Sequence, residues 1–215
     1  NNLKYLPWNA FDPEFASDYL VERPWVASSN DVESFFRTGI TTNNSISVLK
    51  SSNDAGIRFS YSNQKTEGVI PNSDLQKNTI SINANAKLSD KLKVDGMMTY
   101  VQTKGFNRPD IGYGDNSLAQ KFYQWGQRQL DFNDLKQYKL ANGNQRSWNR
   151  VSWDDGTPAY SDNPYWIINE NVSNDLRNRF YGNLSLTYNI TPELYVVGNA
   201  YGDTYSFNIN ERVAK

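Results

Sequence analysis

Two hairpins alternate apolar and polar residues on both sides of very short turns. The first covers 79–95 and turns at 89–91, and the second covers 183–196 and turns at 191–193. Successive side chains of a strand point to opposite faces, so each hairpin has one face of Ile, Ala, Leu and Tyr and one of Ser, Thr, Asn and Lys. This pattern is typical of a sheet with lipid on one side and water on the other.

Period-two alternation predicts six strands in the whole chain. Two precede the first hairpin, at about 36–49 and 57–65; the hairpin strands extend to about 101, and the second hairpin covers about 179–208. A strand needs roughly 9–11 residues to cross a bilayer, so we expect these strands to project beyond it. No apolar run approaches the roughly 20 residues of a membrane helix.

The connections alternate in length. Short turns at 51–56, 89–91 and 191–193 contrast with a medium loop near 67–74 and a very long one over 105–178. Short turns at one rim and long loops at the other are typical of outer-membrane barrels. Aromatic residues near strand ends favour the same interpretation, as interfacial girdles. They are Phe36, Tyr61, Tyr100 and Phe180 at the long-loop rim and Tyr188 at the turn rim.

The long loop contains helical patterns of its own. Leu118, Phe122 and Trp125 recur at i, i+4 and i+7, which predicts a short helix over 117–125 that Asn116 or Ser117 would cap. A second helical turn is predicted over 134–138, and residues 1–35 are expected to be irregular and aromatic-rich.

Composition narrows the possible functions. Hydrophobic residues make up 38% of the 215 residues and aromatic ones 14%, with a mean hydropathy of −0.74. The aromatic content argues against disorder, and a net charge of −1 gives no electrostatic case for nucleic acid. The chain has no Cys and no His, which removes the usual general base and the usual soft metal ligands. We therefore predict no enzyme, no cofactor and no metal.

Several segments, in order, carry a family resemblance. Residues 36–48, Phe-Arg-Thr-Gly-Ile-Thr-Thr-Asn-Asn-Ser-Ile-Ser-Val, resemble an early barrel strand of SusC/RagA-type TonB-dependent outer-membrane transporters. Residues 58–62 and the loop 68–74 are similar to the next strand and its connection. Asn-Pro-Tyr-Trp at 163–166 and Asn-Arg-Phe-Tyr-Gly-Asn at 178–183 resemble later landmarks of the same family.

The resemblance implies a fold and an organisation. The chain would be an all-β internal segment, about six strands of a roughly 22-stranded plugged antiparallel barrel. It would comprise an irregular extracellular-side segment at 1–35, four strands within 36–104, a long extracellular loop at 105–178 and two strands within 179–210. The beginning of the chain lacks the features of a signal peptide, and we expect an internal stretch of a longer precursor.

The resemblance also implies a function in the bacterial outer membrane. The parent protein would import a bulky nutrient, an oligosaccharide or a peptide, with a SusD-like surface lipoprotein as its lid. TonB would act through a plug that this stretch does not contain, and further partners would be the remaining strands and the lipid bilayer. Two other classes remain open: a non-transporting outer-membrane barrel and a soluble all-β carbohydrate-binding domain.

Candidate binding residues lie mainly in the long loop, where Trp and Tyr offer flat faces to a substrate or to the lid. Packing of these rings on one another is the alternative. The substrate or lid candidates are Trp125, Trp148, Trp153, Tyr160, Tyr165, Trp166, Arg150 and Asp154. The residues predicted to face the lumen are Arg37, Arg58, Lys87, Asp95 and Arg179. The carboxylates of Asp154, Asp155 and Asp162 lack the spacing of a Ca²⁺ loop, so a solvated loop is the expectation for them.

Overall fold

A computed structural model describes residues 3–214 and contains eight strands and two α-helices. The first two residues of the predicted 1–35 segment and the last residue of the chain lie outside this range. The short strands β1 (Lys4–Tyr5) and β2 (Arg23–Pro24) pair with each other. The main strands are β3 (Ile40–Ser51), β4 (Ala55–Glu67), β5 (Asp74–Lys87), β6 (Leu92–Phe106), β7 (Val172–Asn189) and β8 (Tyr195–Arg212). The helices are α1 (Leu118–Gln124) and α2 (Pro164–Glu170).

Strands β3 to β8 form one antiparallel sheet in sequence order. The all-β prediction is confirmed at this level, with six main strands where the period-two pattern predicts them. The sheet is open within residues 3–214, because β3 and β8 are its two edges and do not pair with each other. The strands run 12 to 18 residues, which corresponds to about 40–60 Å at about 3.4 Å per residue.

The strand register separates the side chains into two faces, because residues directly opposite one another in an antiparallel pair share a face. The apolar face contains rows such as Val48–Phe59–Ile82–Met98 and Ile57–Ala84–Gly96–Leu184. The polar face contains rows such as Ser47–Ser60–Ser81–Thr99. Ile46, Val48, Met98, Leu184 and Leu186 are all exposed. No second layer covers the apolar face within the described residues.

The apolar face ends abruptly at one row of five amides and one serine, here called the amide row. Its members lie directly opposite one another across the sheet: Asn44, Asn63, Asn78, Gln102, Asn178 and Ser206. Tyr61 and Tyr100, one row closer to the apolar part, donate their hydroxyls to Asn78 at 3.0 Å and to Asn178 at 2.7 Å. Hydrogen bonds from these tyrosines to the amide row therefore mark the level at which apolar side chains give way to polar ones.

The packed core lies outside the sheet, in a unit formed by residues 3–39 and 107–171, here called the loop unit. Phe35 is at its centre, 5.0 Å from Phe122 and 5.1 Å from Tyr165 between ring centroids. The remaining buried members of this cluster are Leu118, Leu130, Phe132, Leu135, Trp148, Ile167 and Ile168. The long loop and the N-terminal segment thus share one hydrophobic core.

Two asparagines in left-handed backbone conformations join the loop unit to the sheet. Asn107 has a φ of 45° and Asn72 a φ of 58°, a region that Asn tolerates better than most residues. Asn107 donates to the carbonyl of Ile168 at 2.9 Å and accepts from the Ser173 amide at 2.9 Å. Arg108 pairs with Asp175 beside it. The end of α2 is thereby fixed to the strand that follows it.

Three local predictions differ from the structure. Strand β3 begins at Ile40 and not at Phe36, because Phe36 packs against Phe35 and Phe122 in the loop unit. The predicted loop 105–178 spans 107–171, because β6 and β7 continue pairing to Phe106 and Asn174. Helix α1 forms as predicted, with Ser117 at its N-cap position, but the Ser117 hydroxyl makes no capping hydrogen bond.

The described helices include none that is long and apolar enough to span a membrane.

Candidate functional site

The polar face of the sheet brings two of the predicted lumen residues to one recess. Arg58 and Asp95 line a hollow of about 350 Å³ together with Asn83, Asn85 and Asn183. These side chains share a face by register. A guanidinium, a carboxylate and several amides in one open recess offer donors and acceptors to a polar ligand.

Arg179 and Lys87 also lie on the polar face, but each already has a partner. Arg179 makes a two-point contact with the Asp203 carboxylate on the neighbouring strand. Lys87 donates to Asp90 across the hairpin turn at 2.7 Å, and this contact lowers the pKa of Asp90. Each of these two cations therefore has a carboxylate neighbour at the surface of the sheet.

Arg37 does not lie in a strand, which corrects the prediction that placed it on the lumen wall. Its guanidinium donates to the Gly68 carbonyl at 2.8 Å and to Asp74 at 3.2 Å. Its backbone amide donates to the Val69 carbonyl. Arg37 therefore holds the loop between β4 and β5, at the rim of the sheet.

Three of the predicted contact residues are buried in the loop unit. Trp148, Tyr165 and Trp166 are 8%, 7% and 4% exposed. Burial raises the pKa of the Tyr165 hydroxyl, and the Trp148 indole donates to the Trp125 carbonyl at 3.1 Å. Their rings have no surface to offer a ligand or a lid. The packing alternative is thus the correct interpretation for these three residues.

Arg150 is also removed from the free surface. It donates to Asp12 at 2.8 Å, and both side chains are only 9% exposed. Its ring neighbour is Phe11, whose centroid lies 6.0 Å from the guanidinium carbon. The prediction of ligand contact is therefore replaced by a structural role, in which Arg150 ties the N-terminal segment to the long loop.

Three of the other four candidates are aromatic: Trp153 and Tyr160 are exposed, and Trp125 is partly buried against the core of the loop unit. Trp125 and Tyr160 stack with centroids 5.3 Å apart and planes 10° from parallel. Tyr160 is 75% exposed and Trp153 69% exposed. A short antiparallel bridge between Arg150 and Pro158 closes the loop 151–157, which carries Trp153. We call Trp125, Trp153 and Tyr160 the aromatic surface.

Asp154 lies in the same loop, 151–157, and its carboxylate accepts a hydrogen bond from the Ser152 hydroxyl at 2.6 Å. Its neighbour Asp155 accepts from the Thr157 amide, and that hydrogen bond lowers the pKa of Asp155. Asp162 lies apart from them and accepts from Gln145. No group of three or more potential metal ligands occurs within residues 3–214.

Sequence reasoning missed the residue that organises the loop unit, Arg146. It is 1% exposed and donates to Asp12 at 2.7 Å and to the Asn9 carbonyl at 3.1 Å. The rings of Trp8 and Phe15 lie 5.0 and 3.6 Å from its guanidinium carbon. No short-range pattern marks it, because these four partners all belong to the distant N-terminal segment. A nearer partner, the Gln137 side-chain oxygen, accepts from the same guanidinium at 2.9 Å.

Sequence reasoning also missed an aromatic stripe on the polar face of β8. Tyr195, Tyr201, Tyr205 and Phe207 alternate along this edge strand and are exposed. Period-two spacing of aromatic residues in the sequence could have identified them. They lie on the face opposite to the one that carries the apolar residues of β7. Arg177 lies over the Tyr205 ring, 4.9 Å from its centroid.

No family model matches the sequence, and no curated protein matches it at a significant level.

The aromatic surface yields a first prediction. Replacing Tyr160 with alanine is expected to lower the free energy of unfolding by only about 0.5–1.5 kcal/mol, the usual contribution of one aromatic pair. Hydrogen exchange of the loop unit measures this. Replacing the buried Trp148 with alanine provides the comparison and should cost more. Equal costs would contradict the division into exposed and packed aromatic residues.

Proposed function

We propose that this chain forms part of the wall and one extracellular loop unit of a TonB-dependent outer-membrane transporter. The observation that carries the proposal is the bare apolar face of the six-stranded sheet, which is bounded by the amide row and opposed by a polar face. Exposed apolar surfaces of this extent mark contact with a membrane or a partner. Lipid contacts the apolar face and water the polar face.

The height of the apolar face fits a bilayer. The apolar face has five successive rows of side chains on β6 and β7, from the pair Leu92–Tyr188 to the pair Tyr100–Phe180. Four steps of two residues correspond to about 27 Å along the strands at about 3.4 Å per residue. With the usual tilt of about 35–45°, this becomes about 19–22 Å, somewhat below the apolar band of about 25 Å in outer-membrane barrels.

The edges of the sheet support membership of a larger barrel. Strand β3 exposes 12 residues and β8 exposes 18, with neither covered by another element. Unpaired backbone groups are very costly in hydrocarbon, and water-soluble proteins normally shield long edges. Further strands on both sides would close the wall, in line with the roughly 22 strands that the resemblance implies.

The loop unit supports a transporter over a plain barrel. It lies at the end of the sheet opposite the short turns and has its own packed core and the aromatic surface. An extracellular unit of this kind suits contact with a bulky nutrient, an oligosaccharide or a peptide, or with a SusD-like lipoprotein lid. The recess around Arg58 and Asp95 would line the polar route behind it.

The non-transporting barrel remains the second candidate, since the bare apolar face favours it equally. The soluble carbohydrate-binding domain is less well supported, because such a domain would leave the apolar face in water.

Cell fractionation and a deletion strain test the proposal. The full-length protein is expected to partition with the outer membrane and to require detergent for extraction. A SusD-like lipoprotein should co-purify with it, and deletion should abolish growth on one glycan or peptide. Recovery from the soluble fraction would refute the membrane assignment. Membrane recovery without a lipoprotein or a growth defect would favour the non-transporting barrel.

A further inference from the structure

Just beyond the amide row, two lysines and a glutamine lie side by side on the apolar face. Lys65, Gln76 and Lys104 are direct neighbours on β4, β5 and β6. Adjacent strands lie about 4.8 Å apart, so the two lysine backbones are separated by about 10 Å. Long lysine side chains on the two flanking strands can therefore reach one ligand between them.

These side chains line a cavity that combines two cations, several amides and apolar groups with the carboxylates of Asp74 and Asp175. The cavity has a volume of about 440 Å³, and Phe106 and Leu176 contribute its apolar part. Asn174 and Asn210 add two further amides. An amphipathic ligand with an anionic head suits this lining better than a purely apolar or a purely polar one.

The charges nearby leave a positive excess at this level of the sheet. The Glu67 carboxylate accepts from Lys65 at 3.0 Å, and Asp74 accepts from Arg37 at 3.2 Å. Asp175, which also borders the cavity, pairs with Arg108. Lys104 has no carboxylate partner within residues 3–214. It is thus the cation available to a ligand, with Lys65 beside it.

We propose that Lys65, Gln76 and Lys104 bind the phosphate of a membrane lipid at the extracellular boundary of the bilayer. This inference rests on the proposed membrane function, because it takes the apolar face to be in contact with lipid. The acyl chains lie along the apolar rows, and the Tyr61 and Tyr100 hydroxyls mark the level where hydrocarbon ends. The phosphate then stands one row further out, where the lysines are. Cations near a membrane surface attract anionic headgroups.

The test uses the full-length protein, extracted in detergent and reconstituted into phosphatidylcholine vesicles with and without phosphatidylglycerol. Native mass spectrometry counts the phosphatidylglycerol that the protein retains. The variant carries Lys65→Gln and Lys104→Gln. Its control carries Lys77→Gln and Lys93→Gln, which remove the same charge from the polar face. We expect about 30-fold weaker retention in the first variant, from about 1 kcal/mol for each of the two cations removed, and no change in the control.

Three results would overturn the site. Equal retention in wild type and in the Lys65/Lys104 variant would show that these lysines do not hold the lipid. Equal loss in both variants would indicate a general effect of net charge. Displacement of the lipid by millimolar inorganic phosphate would indicate a site for a free anion. A protein that enters neither kind of vesicle would refute the membrane function itself. Insertion without a preference for phosphatidylglycerol would refute only the lipid site.

Discussion

Replacing Arg146 with alanine is expected to lower the free energy of unfolding of the loop unit by about 3–5 kcal/mol, the range for breaking a buried ion pair by removing one partner. The side chain of its partner Asp12 is 9% exposed and would lose one of its two guanidinium donors. The rings of Trp8 and Phe15 would lose the cation between them. The N-terminal segment should therefore detach from the long loop.

Hydrogen exchange of the full-length protein measures this detachment region by region. Faster exchange is expected in 3–39 and 107–171, while β4 to β7 keep their protection, because their hydrogen bonds lie within the sheet. Replacing Asn142, an exposed loop residue, with alanine provides the control for an ordinary surface change. An Arg146 variant as protected as the control would refute the organising role of this side chain.

A second variant separates burial from charge. Replacing Arg146 with methionine and Asp12 with leucine together removes both charges and keeps apolar volume, an exchange that is often neutral or stabilising for a buried pair. Arg150 would still lack its partner, so some loss is expected. The double variant should nevertheless be more protected than Arg146→Ala, which leaves a carboxylate short of a partner.

The sheet was predictable from the sequence because its determinants are local. Alternation of two residues defines the faces, and the turns at Ser89 and Thr191 fix the hairpin registers, as their side chains accept from the amides of Leu92 and Leu194. The strands extend beyond the predicted bounds, since pairing continues where alternation is less clean. Val172 to Asn178 reads as loop in the sequence but pairs fully with β8.

The loop unit was not predictable in the same way, because its determinants are long-range. Helix α2 begins at Pro164, and Asn163 caps it while also donating to the carbonyls of Leu135 and Arg146. No sequence pattern near residue 163 predicts hydrogen bonds to those two carbonyls. For the same reason, the sequence could not separate the buried Trp148 and Trp166 from the exposed Trp153. Aromatic content predicts that some rings pack in a core and others form a contact surface, but it does not predict which ring has which role.

The orientation of the sheet allows the sharpest test of the membrane proposal. Leu186 lies one row from the middle of the apolar face, and replacing it with arginine is expected to cost about 2–4 kcal/mol, the depth-dependent cost of a cation that faces lipid. Leu186 lies on the apolar face opposite Val94 and is exposed. Its neighbour Ser185 lies on the polar face opposite Asp95. Arginine at Ser185 should be mild, because its guanidinium can stay in water.

Urea titration of the folded full-length protein in vesicles measures both variants. Ile82→Arg and Ser81→Arg repeat the comparison on β5, although Ser81 also loses its hydrogen bond to Thr99. A loss of about 1 kcal/mol is therefore expected there even on the polar face. Equal costs at Leu186 and Ser185 would contradict the assignment of lipid and water to the two faces. In a soluble protein with the apolar face in water, neither arginine would carry the lipid penalty, so the difference between the two positions is what identifies the surroundings of the sheet.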